Sequence, residues 1–167
     1  MKCAFTGPRP QSLPFPCEEK NPGYDELIQR LRKEILALCE QGVRDFYCGM
    51  AIGVDLLCGE IVLSLKESCP DVRLHAVIPF RSQPDKWNSE DKRRYAEVLK
   101  GCDSSLCLHE DYNNEYYLER NRYMVDNSDM LLAVCDPENI PKRSGTGATI
   151  RYAQSQNKPV IFVPPLS

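Results

Sequence analysis

Apolar residues along this chain recur with two periods. Leu27, Leu31, Ile35 and Leu38 return at helical steps with Lys and Glu between them, which predicts a helix over 24–41 that Gly42 ends. Leu56, Leu57, Ile61 and Leu65 do the same over 54–68, and further helices are predicted at 91–99, 116–127 and 146–156. Between them lie short apolar runs of strand length at 2–5, 45–48, 72–78, 104–108, 130–135 and 160–163. The proline-rich stretch 11–23 reads as a loop long enough to form a flap.

Strand alternates with helix almost throughout. That order predicts an α/β, three-layer Rossmann-like domain with a mostly parallel sheet of five to six strands, in one domain over 1–167. The first strand and 130–135 are expected side by side at the centre. In such sheets ligands sit beyond the carboxyl ends of the strands, where the strand order reverses.

Composition narrows the class. Hydrophobic residues at 42% and charged residues at 27% are ordinary for a soluble globular chain. A formal charge of -3 argues against nucleic acid as a partner, because backbone binding wants a basic face. The start of the chain lacks the apolar stretch of a secretory signal, and no apolar run approaches the ~20 residues that span a bilayer. A cytoplasmic protein with no membrane partner is expected. Nine cysteines without a C-x-x-C pair, beside only two histidines, predict reduced packing thiols and no metal site.

The candidate chemistry lies in three glycine-bearing turns. Thr6-Gly7-Pro8-Arg9-Pro10 offers a hydroxyl, a close backbone approach and a guanidinium for an oxyanion. Gly49 to Asp55 is a strand-to-helix turn in which Gly49 and Gly53 would face a phosphate at a helix N-terminus. Asp55 either bonds a ribose hydroxyl or base edge, or simply stabilises the helix dipole. Ser144 to Gly147 opens a helix after the most apolar strand, so Gly145, Thr146 and Gly147 are read as a phosphate cradle, against an ordinary N-cap by Ser144 or Thr146. Phe80, Gln83 and Trp87 would wall a base or sugar, unless Trp87 packs the loop onto the core. Arg120 and Asn121 would hold phosphate or ribose, unless they line a solvated helix face. Asp55 and Asp136 are the candidates for a catalytic acid or base, though no spacing selects either.

These motifs, in this order, resemble the YpsA/YoqJ-like bacterial and phage proteins of unknown function. The matching residues are Thr6, Gly7, Arg9 and Pro10; Gly49, Gly53 and Asp55; Pro79, Phe80, Gln83 and Trp87; Arg120 and Asn121; 128–136; and Gly145 to Gly147. That family is similar to the wider SLOG group, which includes DprA, the LOG phosphoribohydrolases and sensors of ADP-ribose derivatives. The resemblance implies a nucleotide or nucleotide-sugar ligand, and often a homodimer; no cofactor is expected. It implies either a sensor or sequestering protein, or an N-glycosidase acting on a nucleoside monophosphate. LOG enzymes carry Pro-Gly-Gly-x-Gly-Thr-x-x-Glu, and here the position of that Glu is Thr149, which removes the carboxylate from its expected place.

Overall fold

A computed structural model describes residues 1–166. Its elements alternate as the periodicity predicts: β1 (Lys2–Thr6), α1 (Pro22–Glu40), β2 (Asp45–Cys48), α2 (Val54–Leu65), β3 (Arg73–Ile78), α3 (Ser89–Gly101), β4 (Ser104–Cys107), α4 (Glu115–Asp126), β5 (Met130–Ala133), α5 (Gly145–Ser155) and β6 (Val160–Phe162). A 3-10 turn, Pro10–Ser12, follows β1.

The strands form one six-stranded sheet in the order β4-β3-β2-β1-β5-β6. Every pairing is parallel. The chain therefore builds outward from β1 to β4, then returns to the other side of β1 for β5 and β6. This reversal makes the β1–β5 gap the switch point.

Side chains on a strand alternate between faces, and β1 shows it. Cys3 and Phe5 join the core under α1, α2 and α3, whereas Ala4 faces the smaller core under α4 and α5. In β5, Leu132 and Leu131 divide the same way. The four residues that predicted α1 are all buried. Asn21 caps its start, accepting the Gly23 and Tyr24 amides at 3.0 and 3.2 Å. Gly42, at φ 102°, ends it, with Val43 N–H reaching the Leu38 carbonyl at 3.0 Å and Gly42 N–H reaching that of Cys39 at 3.1 Å.

The 11–23 loop is not a free flap. Phe15 is buried and lies so close to Gly23 that a Cβ there would fall 2.6 Å from its ring. All nine cysteines are free thiols. Burial pushes the Cys3 thiol up to about 12, so it packs rather than reacts. Among the described residues, no helix is long and apolar enough to cross a membrane.

Candidate functional site

The carboxyl end of β2 leads directly into Gly49. A Cβ at Gly49 would lie 2.6 Å from the Arg120 guanidinium carbon and 2.7 Å from an Asp55 carboxylate oxygen. The missing side chain therefore makes room for two buried charged groups that arrive from opposite faces of the sheet. Asp55 comes from the first turn of α2 and accepts the Ala51 amide on Oδ2 at 3.3 Å. Arg120 comes from α4 and donates from Nη1 to the Gly49 carbonyl and, at 3.5 Å, to that of Val77. Its Nε donates to Asn121 Oδ1 at 2.8 Å. Burial raises the Asp55 carboxyl above the usual carboxylate range, opposed by Arg120 and the Ala51 amide. Burial likewise lowers the Arg120 guanidinium, opposed by Asp55.

Above this floor a cavity of about 560 Å³ opens at the switch point. That size suits a small-molecule ligand. Thr6 lines it from the end of β1, and Gly7 and Arg9 from the turn after it; Asp55 from α2; Arg120 and Asn121 from α4; Gly145 and Thr146 from α5; and Asp136 from the loop after β5. The N-terminal turn and the α5 turn thus share one cavity.

The α5 N-terminus carries the clearest anion chemistry. Ser144 Oγ accepts the Gly147 amide at 3.0 Å, and the Ala148 amide bonds the Ser144 carbonyl at 3.0 Å. The Gly145 and Thr146 amides are left as orphan first-turn donors beside the cavity. A Cβ on Gly145 would meet nothing within 4 Å. At the cavity mouth the exposed Arg9 guanidinium lies 5.2 Å from the Tyr117 ring centroid, a cation–π contact.

Other positions read as ligand contacts do not line the cavity, each for a packing reason. Gly49 is occupied by its two charged neighbours. Gly53, at φ 95°, turns the chain into α2 against Pro10. Gly147 lies under the Pro141 carbonyl, which a Cβ would approach to 2.0 Å. Trp87 packs edge-on against Tyr95, with centroids 5.5 Å apart. Phe80 is buried edge-on against Tyr112 and Tyr117, 5.2 Å from each. Gln83 is buried and donates to the Gly49 carbonyl at 3.5 Å. Phe80 and Gln83 therefore act one layer behind the cavity wall.

The two candidate acids differ. Asp136 accepts the Glu138 amide at 3.0 Å and the Asn139 side-chain amide at 2.9 Å. Those bonds hold its carboxyl below the usual range, as an ionised turn former. Asp55 keeps one oxygen free. Thr149 is buried, and its hydroxyl donates back to the Gly145 carbonyl at 2.7 Å, inside the helix. Tyr117, Ile52 and Asn139 also line the cavity, beyond the residues that the sequence motifs mark. Tyr117 stands three and four positions before Arg120 and Asn121, and that helical spacing was the available signal.

Residues 3–165 match the model of the YspA SLOG family. A UPF0398 protein of Bacillus pumilus is 28% identical over 138 residues, covering 81% of this chain and 74% of the relative. One from Brevibacillus brevis is 29% identical over 123 residues, covering 72% and 65%. Among solved structures, DNA processing protein A from Helicobacter pylori aligns with a TM-score of 0.64 at 20% identity, covering 98% of this chain and 65% of that one. The structural-genomics target TM1055 aligns with a TM-score of 0.58 at 17% identity, covering 95% and 71%. These likenesses establish the Rossmann-like fold.

One expectation is corrected by them. The Helicobacter protein is described as binding single-stranded DNA. The same architecture therefore serves a nucleic-acid binder, and a net charge of -3 does not exclude nucleic acid as a partner. Net charge sums the whole surface, whereas a strand meets only a local patch of it.

Proposed function

The chain belongs to the YspA SLOG family, and we propose that its switch-point cavity binds a nucleotide or nucleotide-derived ligand. The observation that carries this reading is the convergence of the orphan Gly145 and Thr146 amides with Thr6, Gly7 and Arg9 on one cavity. A phosphate there would meet backbone donors, a helix dipole and a guanidinium together. Asp55 and Asn121 would hold ribose or base. The finer reading is an ADP-ribose-like signal, with the protein sensing or sequestering it. Calorimetry against adenosine 5'-monophosphate, ADP-ribose and cyclic ADP-ribose tests it. Binding tighter than roughly 100 μM, about 5.5 kcal/mol, supports the reading. Weaker binding of every compound sinks it.

A second reading is single-stranded DNA binding. The exposed Arg9 over Tyr117 favours it, since base stacking on an aromatic beside a cation is how such strands are held. A salt-dependent shift of an oligo-dT probe, lost in Arg9→Ala, would support it, and a flat response would remove it.

Hydrolysis of an N-glycosidic bond would fall to Asp55, because both oxygens of Asp136 are engaged by hydrogen bonds. Free base released from the monophosphate and lost in Asp55→Asn is its signature. Intact monophosphate after long incubation counts against it.

A further inference from the structure

The polar groups on the cavity floor leave a definite set of unused valences. Asp55 spends Oδ2 on the Ala51 amide, and its Oδ1 has no protein partner. Arg120 spends Nε and Nη1 on Asn121, Gly49 and Val77, and its Nη2 has none. Asn121 turns its Oδ1 to the Arg120 Nε–H, which orients the amide and leaves Nδ2 without a partner.

These ends are not sealed in the protein. Among the described residues, the buried side-chain atoms lacking a partner are Gln83 Oε1 and Ser128 Oγ. The three free ends therefore open to space, and the space that their residues line is the cavity. Asp55 is 7% exposed and Arg120 3%, so little of either side chain reaches beyond it.

The floor thus presents one carboxylate acceptor and two donors. A buried charged group left unpaired is costly, so a well-matched occupant supplies the complement. A phosphate does not, because Asp55 would repel it. An apolar base face leaves all three ends unpaired. A guanine edge offers two parallel N–H donors to one carboxylate, and the second would have to share Oδ2 with the Ala51 amide. A vicinal diol fits: one hydroxyl donates to Asp55 Oδ1, and the pair accepts from Arg120 Nη2 and Asn121 Nδ2.

We propose that Asp55, Arg120 and Asn121 read the cis-diol of a ribose, so that the cavity selects nucleotides with free 2'- and 3'-hydroxyls. The proposal rests on the nucleotide reading above and narrows it to a substrate class. The same ends also explain why Arg120 is followed by Asn121: the amide both orients the guanidinium and adds the second donor.

Calorimetry on the intact protein with adenosine 5'-monophosphate and its 2',3'-dideoxy analogue provides the test. The ribonucleotide should bind at least about tenfold tighter, the cost of leaving buried polar ends unpaired. In Asn121→Ala the gap between the two should narrow, with a circular-dichroism melt confirming the fold. Equal affinities in the unaltered protein would overturn the diol assignment while leaving nucleotide binding intact. An unchanged gap in Asn121→Ala would overturn the assignment to these residues. Failure of both compounds to bind would remove the nucleotide reading and this proposal together.

Discussion

Asp55 and Arg120 approach each other across the bare α-carbon of Gly49. A methyl there would meet both, at 2.7 and 2.6 Å. Both are held where they are: Asp55 by the Ala51 amide, and Arg120 by the carbonyls of Gly49 and of Val77 on β3. Gly49→Ala should therefore cost about 2–3 kcal/mol, because the methyl must displace two hydrogen-bonded side chains. In a chain of this length that lowers the melting temperature by roughly 5–10 °C. A melt unchanged within about 1 °C would show that the two side chains have room to move.

Gly145 and Gly147 stand two residues apart in one motif, yet they should respond in opposite ways. Gly147→Ala puts a carbon 2.0 Å from the Pro141 carbonyl oxygen, so about 3 kcal/mol of stability should be lost. Gly145→Ala meets nothing within 4 Å, and stability should stay within about 0.5 kcal/mol. Its methyl enters the cavity lining, so nucleotide affinity should fall instead. Urea unfolding and calorimetry on the two variants separate the effects.

That contrast explains which parts were legible in advance. The strands and helices follow from burial alternating with period two or about 3.6, which is local information. The switch point follows from the alternation of elements. A glycine's reason for being there is not local. Gly49 is vacant for Arg120, 71 residues away, Gly147 yields to Pro141, and Gly145 faces open space. The aromatic residues after β3 had the same ambiguity, and the partner that the fold gives Trp87 is Tyr95 of α3.

Trp87 therefore supports the fold and not the cavity. Trp87→Ala removes the edge-on contact with Tyr95 and should destabilise by about 2–3 kcal/mol, less than for a fully buried aromatic. Affinity for adenosine 5'-monophosphate, measured well below the melting temperature, should not change. A clear loss of affinity would place Trp87 against the ligand after all. Phe80→Ala should differ, because Phe80 props Tyr117, which lines the cavity.

The far end of the sheet carries a polar clamp that makes a distinct prediction about pH. At the amino ends of β2 and β3, Asp45 accepts Arg73 Nε at 2.8 Å and Nη2 at 3.1 Å, and it faces His75 Nε2 at 2.7 Å. Arg73 first, and then His75, hold the Asp45 carboxyl far below the usual carboxylate range, against the opposing effect of burial. A carboxyl whose folded value lies below its unfolded value, about 3.9, stabilises the fold fully above that value. The stabilisation is lost as the pH falls from there toward the folded value. Asp45→Asn should be less stable than the parent near neutral pH, and the difference should shrink as urea unfolding is repeated from pH 6 down to about pH 3. Two stability curves that stay parallel over that range would mean that the carboxylate contributes nothing through its charge. Nucleotide affinity should not change in this variant, because the clamp sits at the amino ends of the strands and the cavity at their carboxyl ends.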